Sequence, residues 1–521
     1  MEANSVNRVG GERGSIMKLN IGAFLAKRAE LTPDRIGVVY GDAQLTFRQM
    51  NERACRTASA LTQLGVGMGD RVAILAQNCI EFYDIYFGDA KIGAITVPLN
   101  WRLAPPEIQF ILENSGARAI LFGPEYIDLV AGLRGRIPAK DYIFAGPGKG
   151  PDFSHSLEKL QEVADPREPD WKGEGDDTLV IMYTSGTTGK PKGTMLTHAN
   201  FFWASVTFKA IVDKKTDVER SLIVLPLFHI AGMFAMPTSV HWGDPVHLIK
   251  GFDPQLILQT LQKEKITIFG AVPAILSFMR LVPNWQSYDL SSLKTILVFA
   301  APVPVPLIQE YAAGGVVVRQ LYGLTECTGP GTVIGPEEAV GRAGSCGKAF
   351  FHTEVKVVDD QDRETKPREL GELVMRGGHI MKGYWRNEEA TAEALRNGWL
   401  HTGDIAYRDE DGFLYIADRK KDMIISGGEN IYPAEIESVI FGHPKVADVA
   451  IIGMPDQEWG ESVKAVVVPK KDVVLTPEEI IEYCRGKIAK YKIPKAIVFT
   501  DVLPRNAAGK ILKRILREKF N

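Results

Sequence analysis

Thr178–Met182, TLVIM, runs directly into Tyr183-Thr-Ser-Gly-Thr-Thr-Gly-Lys-Pro-Lys-Gly193, and this junction governs how the rest of the chain is read. The first five residues form the short, unbroken apolar run of a strand buried on both faces. The next eleven hold three glycines, four Ser/Thr hydroxyls and two lysines. Glycines let a backbone come close to a ligand, while hydroxyls and ammonium groups donate to anionic oxygens. A polar surface loop has a similar composition, but here a buried-type strand fixes one end. A Walker loop is excluded: Thr184, not glycine, stands five residues before Gly189, and Pro191, not Ser or Thr, follows Lys190. The candidate phosphate cradle is Thr184, Ser185, Gly186, Thr187, Thr188, Gly189 and Lys192.

Outward from the loop, 521 residues exceed one ordinary core, so at least two domains are expected. From Ile21 to about Ala164, helical patterns such as RQMNERACRTASALTQLG alternate with short β-rich runs such as DRVAILA and AITVPL. That alternation predicts βα units around a mainly parallel sheet. Pro166–Asp177 is polar and without period, the mark of a surface connector. The βα rhythm then resumes to about Val318, after which VKVVDD, GELVMRGG and GFLYIADR read as strands. Beyond Arg419 a smaller unit begins, with a helix carrying Pro433 in its first turn and another opened by a Thr476-Pro477-Glu478-Glu479 capping box. The predicted class is α/β. A loose tail at 1–16 precedes a large N-terminal domain at 17–418, made of βα-layered sheets with a strand-rich subdomain. A small α+β domain occupies 419–521.

Charge excludes one class of partner. With 61 basic and 64 acidic side chains the net charge is −3, which leaves no electrostatic excess for nucleic acid. Cys55, Cys79, Cys327, Cys346 and Cys484 are scattered without a C-x-x-C pair. Neither a disulfide framework nor a zinc ribbon is expected, and a reducing cytoplasm fits. The longest apolar stretch, Ser221–Met236, contains Pro226 and His229 and falls short of a membrane span. The first residues lack the apolar core of a secretory signal.

The loop and six further motifs, in order, resemble the adenylate-forming superfamily: acyl-CoA synthetases, aryl-CoA ligases, luciferases and peptide-synthetase adenylation domains. The resemblance spans nearly the whole chain from Met17. Pro226-Leu-Phe-His229 resembles the PxxH element and Tyr322-Gly-Leu-Thr-Glu326 the YGxTE element. Leu400-His-Thr-Gly-Asp404 contains a TGD, Asp418–Asp422 resembles the DRxKD junction, Ser426–Pro433 the small-domain loop, and Pro504–Ile511 the PxxxxGK element. A single histidine in an apolar run is more often a core residue, and a charge run is usually a solvated face. The family order of the motifs is what carries the resemblance.

That resemblance implies ATP, Mg²⁺ and coenzyme A as cofactors and a small-molecule carboxylic acid as substrate. A carboxylate is a poor electrophile, because thiol attack would have to expel oxide; adenylation makes AMP the leaving group. In family terms Thr184 and its neighbours hold the departing phosphates, and Glu326, with Thr184, attends the Mg²⁺ between them. Ala300, Ala301 and Pro302 join Tyr322, Gly323 and Thr325 around the nucleotide. Asp404 accepts from both ribose hydroxyls, and Arg419 reaches ribose or phosphate. Lys510 bridges carboxylate and α-phosphate during adenylation. The small domain is implied to be mobile, rotating about a hinge at 418–422 that includes Lys421. Gly427 and Gly428 then line a pantetheine tunnel, and His229 moves aside before the thiol attacks.

Overall the sequence looks most like bacterial fatty-acyl-CoA synthetases, including a mycobacterial type that meets the membrane peripherally. Two departures bear on the acid. Phe299 precedes Ala300-Ala301-Pro302, and Leu321 precedes Tyr322, where many relatives carry glycine. Larger side chains there shorten or redirect an acyl pocket, whereas Ala231 leaves space where an aromatic often stands. The expected substrate is a short- to medium-chain or compact cyclic or branched acid. A long-chain fatty acid is the alternative, as is a Phe299 that merely packs in the core. An adenylation domain feeding a carrier protein and a luciferase-like oxygenase are rivals within the superfamily. A non-catalytic nucleotide sensor is disfavoured by the intact Thr184, Glu326, Asp404, Arg419 and Lys510. Lys214-Lys215 and the basic tail helix leave weak peripheral membrane contact open, and a homo-oligomer is equally open.

Overall fold

The computed structural model describes residues 19–184, 191–211, 218–301, 303–419, 422–426, 429–457, 459–505 and 511–520. Among these residues the strands form four sheets. One of nine strands has at its centre the parallel neighbours Val318–Tyr322, Thr295–Val298, Ile268–Ala271 and Ser221–Ile223. A second, of eight, runs from Gly383–Tyr384 through Lys192–Thr197 and Thr178–Thr184 to the parallel strands Ile95–Pro98, Arg71–Leu75 and Ala119–Phe122 and beyond. Thr295–Val298 and Ala119–Phe122 are buried along their whole length, as parallel strands covered on both faces must be.

Helix Ile80–Ile92 (IEFYDIYFGDAKI) is buried except at Glu81, and the core enclosing it draws on both large sheets. A helix apolar nearly all round has no solvent face to offer. Its three buried ionisable side chains meet different partners: Asp84 pairs with Arg53 and Lys91 with Glu168 at 2.8 Å, while Asp89, its carboxyl raised well above the ordinary range by burial, accepts from the Thr96 hydroxyl at 2.8 Å. Asn51 and Trp171 also donate to Glu168. The connector at 166–177, which has no period of its own, is thus pinned through one carboxylate to the core.

The βα alternation breaks where the phosphate loop lies. Thr178–Thr184 pairs antiparallel with Lys192–Thr197, Thr184 opposite Lys192. The other edge of Lys192–Thr197 takes the two-residue strand Gly383–Tyr384. A four-stranded antiparallel sheet follows (Thr353–Val358, Gly371–Gly377, Leu400–Arg408, Leu414–Arg419), matching the strand-rich region expected after Val318.

The last sheet is built from strands between Ile424 and Phe499, with helices Pro433–Phe441, Pro477–Cys484 and Lys513–Phe520. Thr476 and Glu479 form the reciprocal cap that their spacing promised. On the tail helix, Leu516 is buried with Ala450, Ile452, Val466 and Leu503, while Lys513 pairs with Glu437 and Arg517 with Asp422. Its apolar side is spent on the sheet and three of its cations on carboxylates, Arg514 pairing with Glu518 of the same helix. The architecture is mixed α/β, a large N-terminal domain followed by a smaller C-terminal one. Among the described residues, no helix is long and apolar enough to cross a membrane.

Candidate active site

Three parallel strands end side by side at Ala271, Val298 and Tyr322. The carboxyl edge of such strands is where α/β proteins place ligands. Two backbone features mark it. Ala300, just past the second strand, is held at φ +73°, a left-handed conformation that costs a non-glycine residue about 1 kcal/mol or more. Gly323, just past the third, admits no Cβ, which would lie 1.6 Å from the Gly329 carbonyl oxygen. The chain after Tyr322 therefore folds tightly back, carrying Thr325 and Glu326 into the short turn Thr325–Cys327.

Tyr322 donates its hydroxyl to Asp404 at 2.6 Å. Burial, and then the carboxylate beside it, hold this phenol well above its ordinary range, so it stays a donor. Asp404 is itself buried, its amide donating to Thr402 Oγ1 at 3.1 Å. It stands opposite Arg419 in the antiparallel register. The YGLTE and TGD segments, 82 positions apart at these residues, thus meet through one hydrogen bond.

The phosphate hairpin joins them by a second route. Thr184 and Lys192 are paired across its base. The Lys192 ammonium lies 5.2 Å from the centre of the Tyr384 ring, and the Tyr384 hydroxyl donates to Glu326 Oε1 at 3.0 Å. The Met381 amide donates to the Glu326 carbonyl, and the Trp385 amide to that of Gly193. A hydrogen bond links Asp404 to Tyr322, the tight turn of the chain leads from Tyr322 to Glu326, and contacts run on through Tyr384 to Lys192, which is paired with Thr184. Tyr384 is absent from the sequence-derived candidates: it sits in a two-residue strand, and no motif spacing marks it.

His229 caps the short helix Ile230–Met233, its Nδ1 accepting from the Ala231 amide at 3.3 Å. That bond leaves the proton on Nε2. Burial pulls the ring down from its ordinary 6.5 to about 4, so it is neutral at physiological pH. Ile230 in turn faces Gly329, just past the YGLTE turn. Phe299 covers Gly270: a Cβ on that glycine would meet its ring edge at 3.5 Å. With Leu321, Ile268, Leu297, Val333 and Phe350 it belongs to a small apolar cluster, against which Phe208 and Ile211 pack. Phe208 also meets Phe234 edge-on, ring centres 5.2 Å apart. Ala231 is half-buried against a second cluster that includes Leu222 and Val272, and Phe299 packs against that cluster as well.

A cleft of about 190 Å³ opens beside Pro226, lined by Trp101, Arg102, Lys250, Phe252 and, from the C-terminal region, Arg505. Ser185, Gly186, Thr187, Thr188, Gly189, Pro302, Lys421, Gly427, Gly428 and Lys510 lie outside the described residues, as do Lys214, Lys215 and the side chain of Arg419.

Strand ends, hairpin and buried tyrosine–carboxylate pair together define an α/β protein with a polar ligand site at the carboxyl ends of its strands. The profile of the AMP-binding enzyme family matches residues 25–385, and that of the AMP-binding enzyme C-terminal domain matches 435–510. The chain is 42% identical to a long-chain-fatty-acid–CoA ligase of Mycobacterium tuberculosis over 96% of this chain and 99% of the relative. It is 40% identical to a feruloyl-CoA synthase of an Amycolatopsis species, over the same shares of both chains. The structure of o-succinylbenzoate coenzyme A synthetase from Bacillus subtilis, in complex with ATP and magnesium, is 35% identical and superposes with a TM-score of 0.84, covering 94% of this chain and 98% of that one. The chain belongs to the AMP-binding enzyme family.

Proposed function

We propose that this chain, an AMP-forming acid–CoA ligase, activates a short- to medium-chain or compact cyclic or branched carboxylic acid in the cytoplasm. MgATP, the acid and CoA are its substrates. In the first half-reaction a carboxylate oxygen attacks the α-phosphorus and the bond to pyrophosphate breaks. In the second, the CoA sulfur attacks the acyl carbonyl and AMP leaves. The linkage from Asp404 to Tyr322, along its turn to Glu326, and on through Tyr384 and Lys192 to Thr184 carries this reading, because it brings a ribose-type acceptor, a metal-type carboxylate and a phosphate-type hairpin together at the strand ends.

Among the described residues no cluster of three His, Cys, Asp or Glu side chains could hold a metal unaided. That fits Mg²⁺ arriving with ATP, since this ion is commonly held by one or two carboxylates plus substrate phosphates. Glu326 is the carboxylate assigned to it, with the Thr184 hydroxyl beside the phosphates. Ala300, Ala301, Tyr322, Gly323 and Thr325 form the nucleotide wall, Asp404 and Arg419 take the ribose, and Lys510 neutralises the two anions that must meet.

The hinge is assigned to 418–422, the boundary between 17–418 and 419–521. Rotation there exchanges Lys510 for the Gly427–Gly428 face. The cleft beside Pro226, lined by Arg102 and by Lys250 and Arg505, which pair with Glu125 and Asp448, suits the phosphates of CoA while its thiol reaches towards His229. A neutral His229 ring is free to turn aside without stranding a buried charge.

The acid class rests on Phe299 and Leu321, whose side chains occupy one face of the strand ends together with other aromatics. The long-chain alternative draws support from the name of the mycobacterial relative. One assay separates them: acid- and CoA-dependent AMP formation from ATP across a panel of hexanoate, decanoate, palmitate, benzoate and hydroxycinnamates. The proposal expects hexanoate or the cyclic acids to lead. A clear preference for palmitate over hexanoate overturns the acid class, and AMP formation indifferent to CoA overturns the ligase.

A further inference from the structure

We infer that Tyr384 is a positioning residue that couples the phosphate hairpin to Glu326 and so sets the affinity for the Mg²⁺ that accompanies ATP. The inference rests on the assignment of Glu326 as the metal carboxylate.

Both ends of Tyr384 are fixed. Its strand pairs with the hairpin, Tyr384 opposite Thr194 and Gly383 opposite Met195. Its amide donates to Thr391 Oγ1 at 2.8 Å, and a Cβ on the preceding Gly383 would press within 2.7 Å of the Thr391 side chain. With its backbone held this way, the hydroxyl is delivered to Glu326 Oε1 at 3.0 Å. One carboxylate oxygen is thereby engaged and the rotamer restrained. A ligating carboxylate that is hydrogen-bonded in this manner binds metal more tightly, because its orientation is fixed before the ion arrives.

The same ring has a second task. The Lys192 ammonium rests 5.2 Å from its centre, a distance at which the π face attracts a cation. Lys192 opens the return strand of the hairpin and Glu326 follows the strand that carries Tyr322, so one side chain sets the spacing of the phosphate-binding and metal-binding groups. Its hydroxyl and its face act on different partners and can be separated by substitution.

The test is an equilibrium titration of the full chain with ATP alone, without acid or CoA, in excess Mg²⁺ and again in EDTA. The ratio of the two dissociation constants reports how strongly metal and nucleotide reinforce each other. In Tyr384→Phe the ratio is expected to shrink roughly 10- to 100-fold, the usual effect of losing a ligand's supporting hydrogen bond. Affinity in EDTA should hold within about twofold, since the ring face remains for Lys192. Tyr384→Leu should lose the same ratio and weaken binding in EDTA as well. In a Glu326→Gln background, Tyr384→Phe should change the ratio no further, as expected of two residues acting through one contact. The melting temperature of each unliganded variant shows whether it folds, and the Glu326→Gln pair supplies the answer should Tyr384→Leu not. Equal losses with and without Mg²⁺ in Tyr384→Phe, or an unchanged ratio, overturn the inference. A wild-type ratio that Glu326→Gln leaves intact overturns the assignment of Glu326 itself. A ratio that Glu326→Gln collapses and Tyr384→Phe spares overturns only the role of Tyr384.

Discussion

At residue 323 the fold leaves no space for even a methyl group, because the Gly329 carbonyl occupies it. Gly323→Ala must therefore displace the turn that carries Thr325 and Glu326, a local overpacking of about 1–3 kcal/mol. The expected outcome is a folded protein with a modestly lowered melting temperature and ATP affinity reduced at least tenfold. Retained ATP affinity would mean that the turn is not part of the nucleotide wall. Phe299 gives the complementary case, in which volume is removed. Its ring covers Gly270, and Phe299→Gly should extend the apolar space along that strand. The kcat/KM for decanoate should rise relative to hexanoate by at least tenfold, as expected when a pocket gains several methylene-sized sites. No change in that ratio would show that Phe299 is packing alone and that the acyl channel runs elsewhere. Lys510→Ala belongs at this scale too. It should abolish pyrophosphate release yet spare thioester formation from supplied acyl-AMP, and equal loss in both half-reactions would remove Lys510 from its assigned role.

Elements divide by whether their signal is local. The run TLVIM, the Thr476 cap and the helix at Pro433 are each written within a few residues, and each is where the sequence puts it. The hairpin is different. Nothing in KGTMLT distinguishes an antiparallel return strand from the next parallel one, because the choice is made by the partner strands at Thr178 and Gly383. Tyr384 was hidden for the same reason, since its partner Glu326 lies 58 positions away and no periodicity relates them. Tyr322 and Asp404 could be named one by one, but their mutual hydrogen bond could not. At the junction, Asp418 accepts from the Ala434 amide at 3.0 Å, so the end of one sheet is tied to the first turn of a C-terminal helix. A substitution that stiffens the neighbouring backbone tests whether the chain turns there. Lys421→Pro, which fixes φ near −65° and removes an amide donor, should retain acid-dependent pyrophosphate release while losing acyl-CoA output. Normal acyl-CoA synthesis by this variant would rule out the hinge at 418–422.

Over the whole molecule, burial sets a dependence on acid that no single site displays. His198, His229, His241 and His379 are each drawn from an ordinary 6.5 to about 4, burial being the first cause in every case. For His198 the reason is visible: its Nδ1 accepts from the Ile21 amide at 3.1 Å, and a proton there would evict that donor. Because the folded values lie below the unfolded ones, the unfolded chain takes up protons as pH falls through 6.5, while the folded chain refuses them until about 4. Stability is therefore fully present above pH 6.5 and falls across that window, by up to about 1.4 kcal/mol per histidine per pH unit. Asp84 and Asp89 act in the opposite sense, since burial raises their carboxyls and the folded state holds those protons more firmly. His247 and His443 are lowered as well, and six depressed rings against two raised carboxyls leave a net loss on acidification. The denaturant midpoint should be flat from pH 8 to 7 and then decline steeply towards pH 4.5. His198→Asn, which keeps an acceptor but cannot titrate, should flatten the decline by up to roughly a quarter, its share if the four most depressed rings dominate it. A midpoint unchanged between pH 7 and 5 would show that these rings are solvated enough to protonate in place, and the neutral His229 assigned to the acyl site would have to be given up with them.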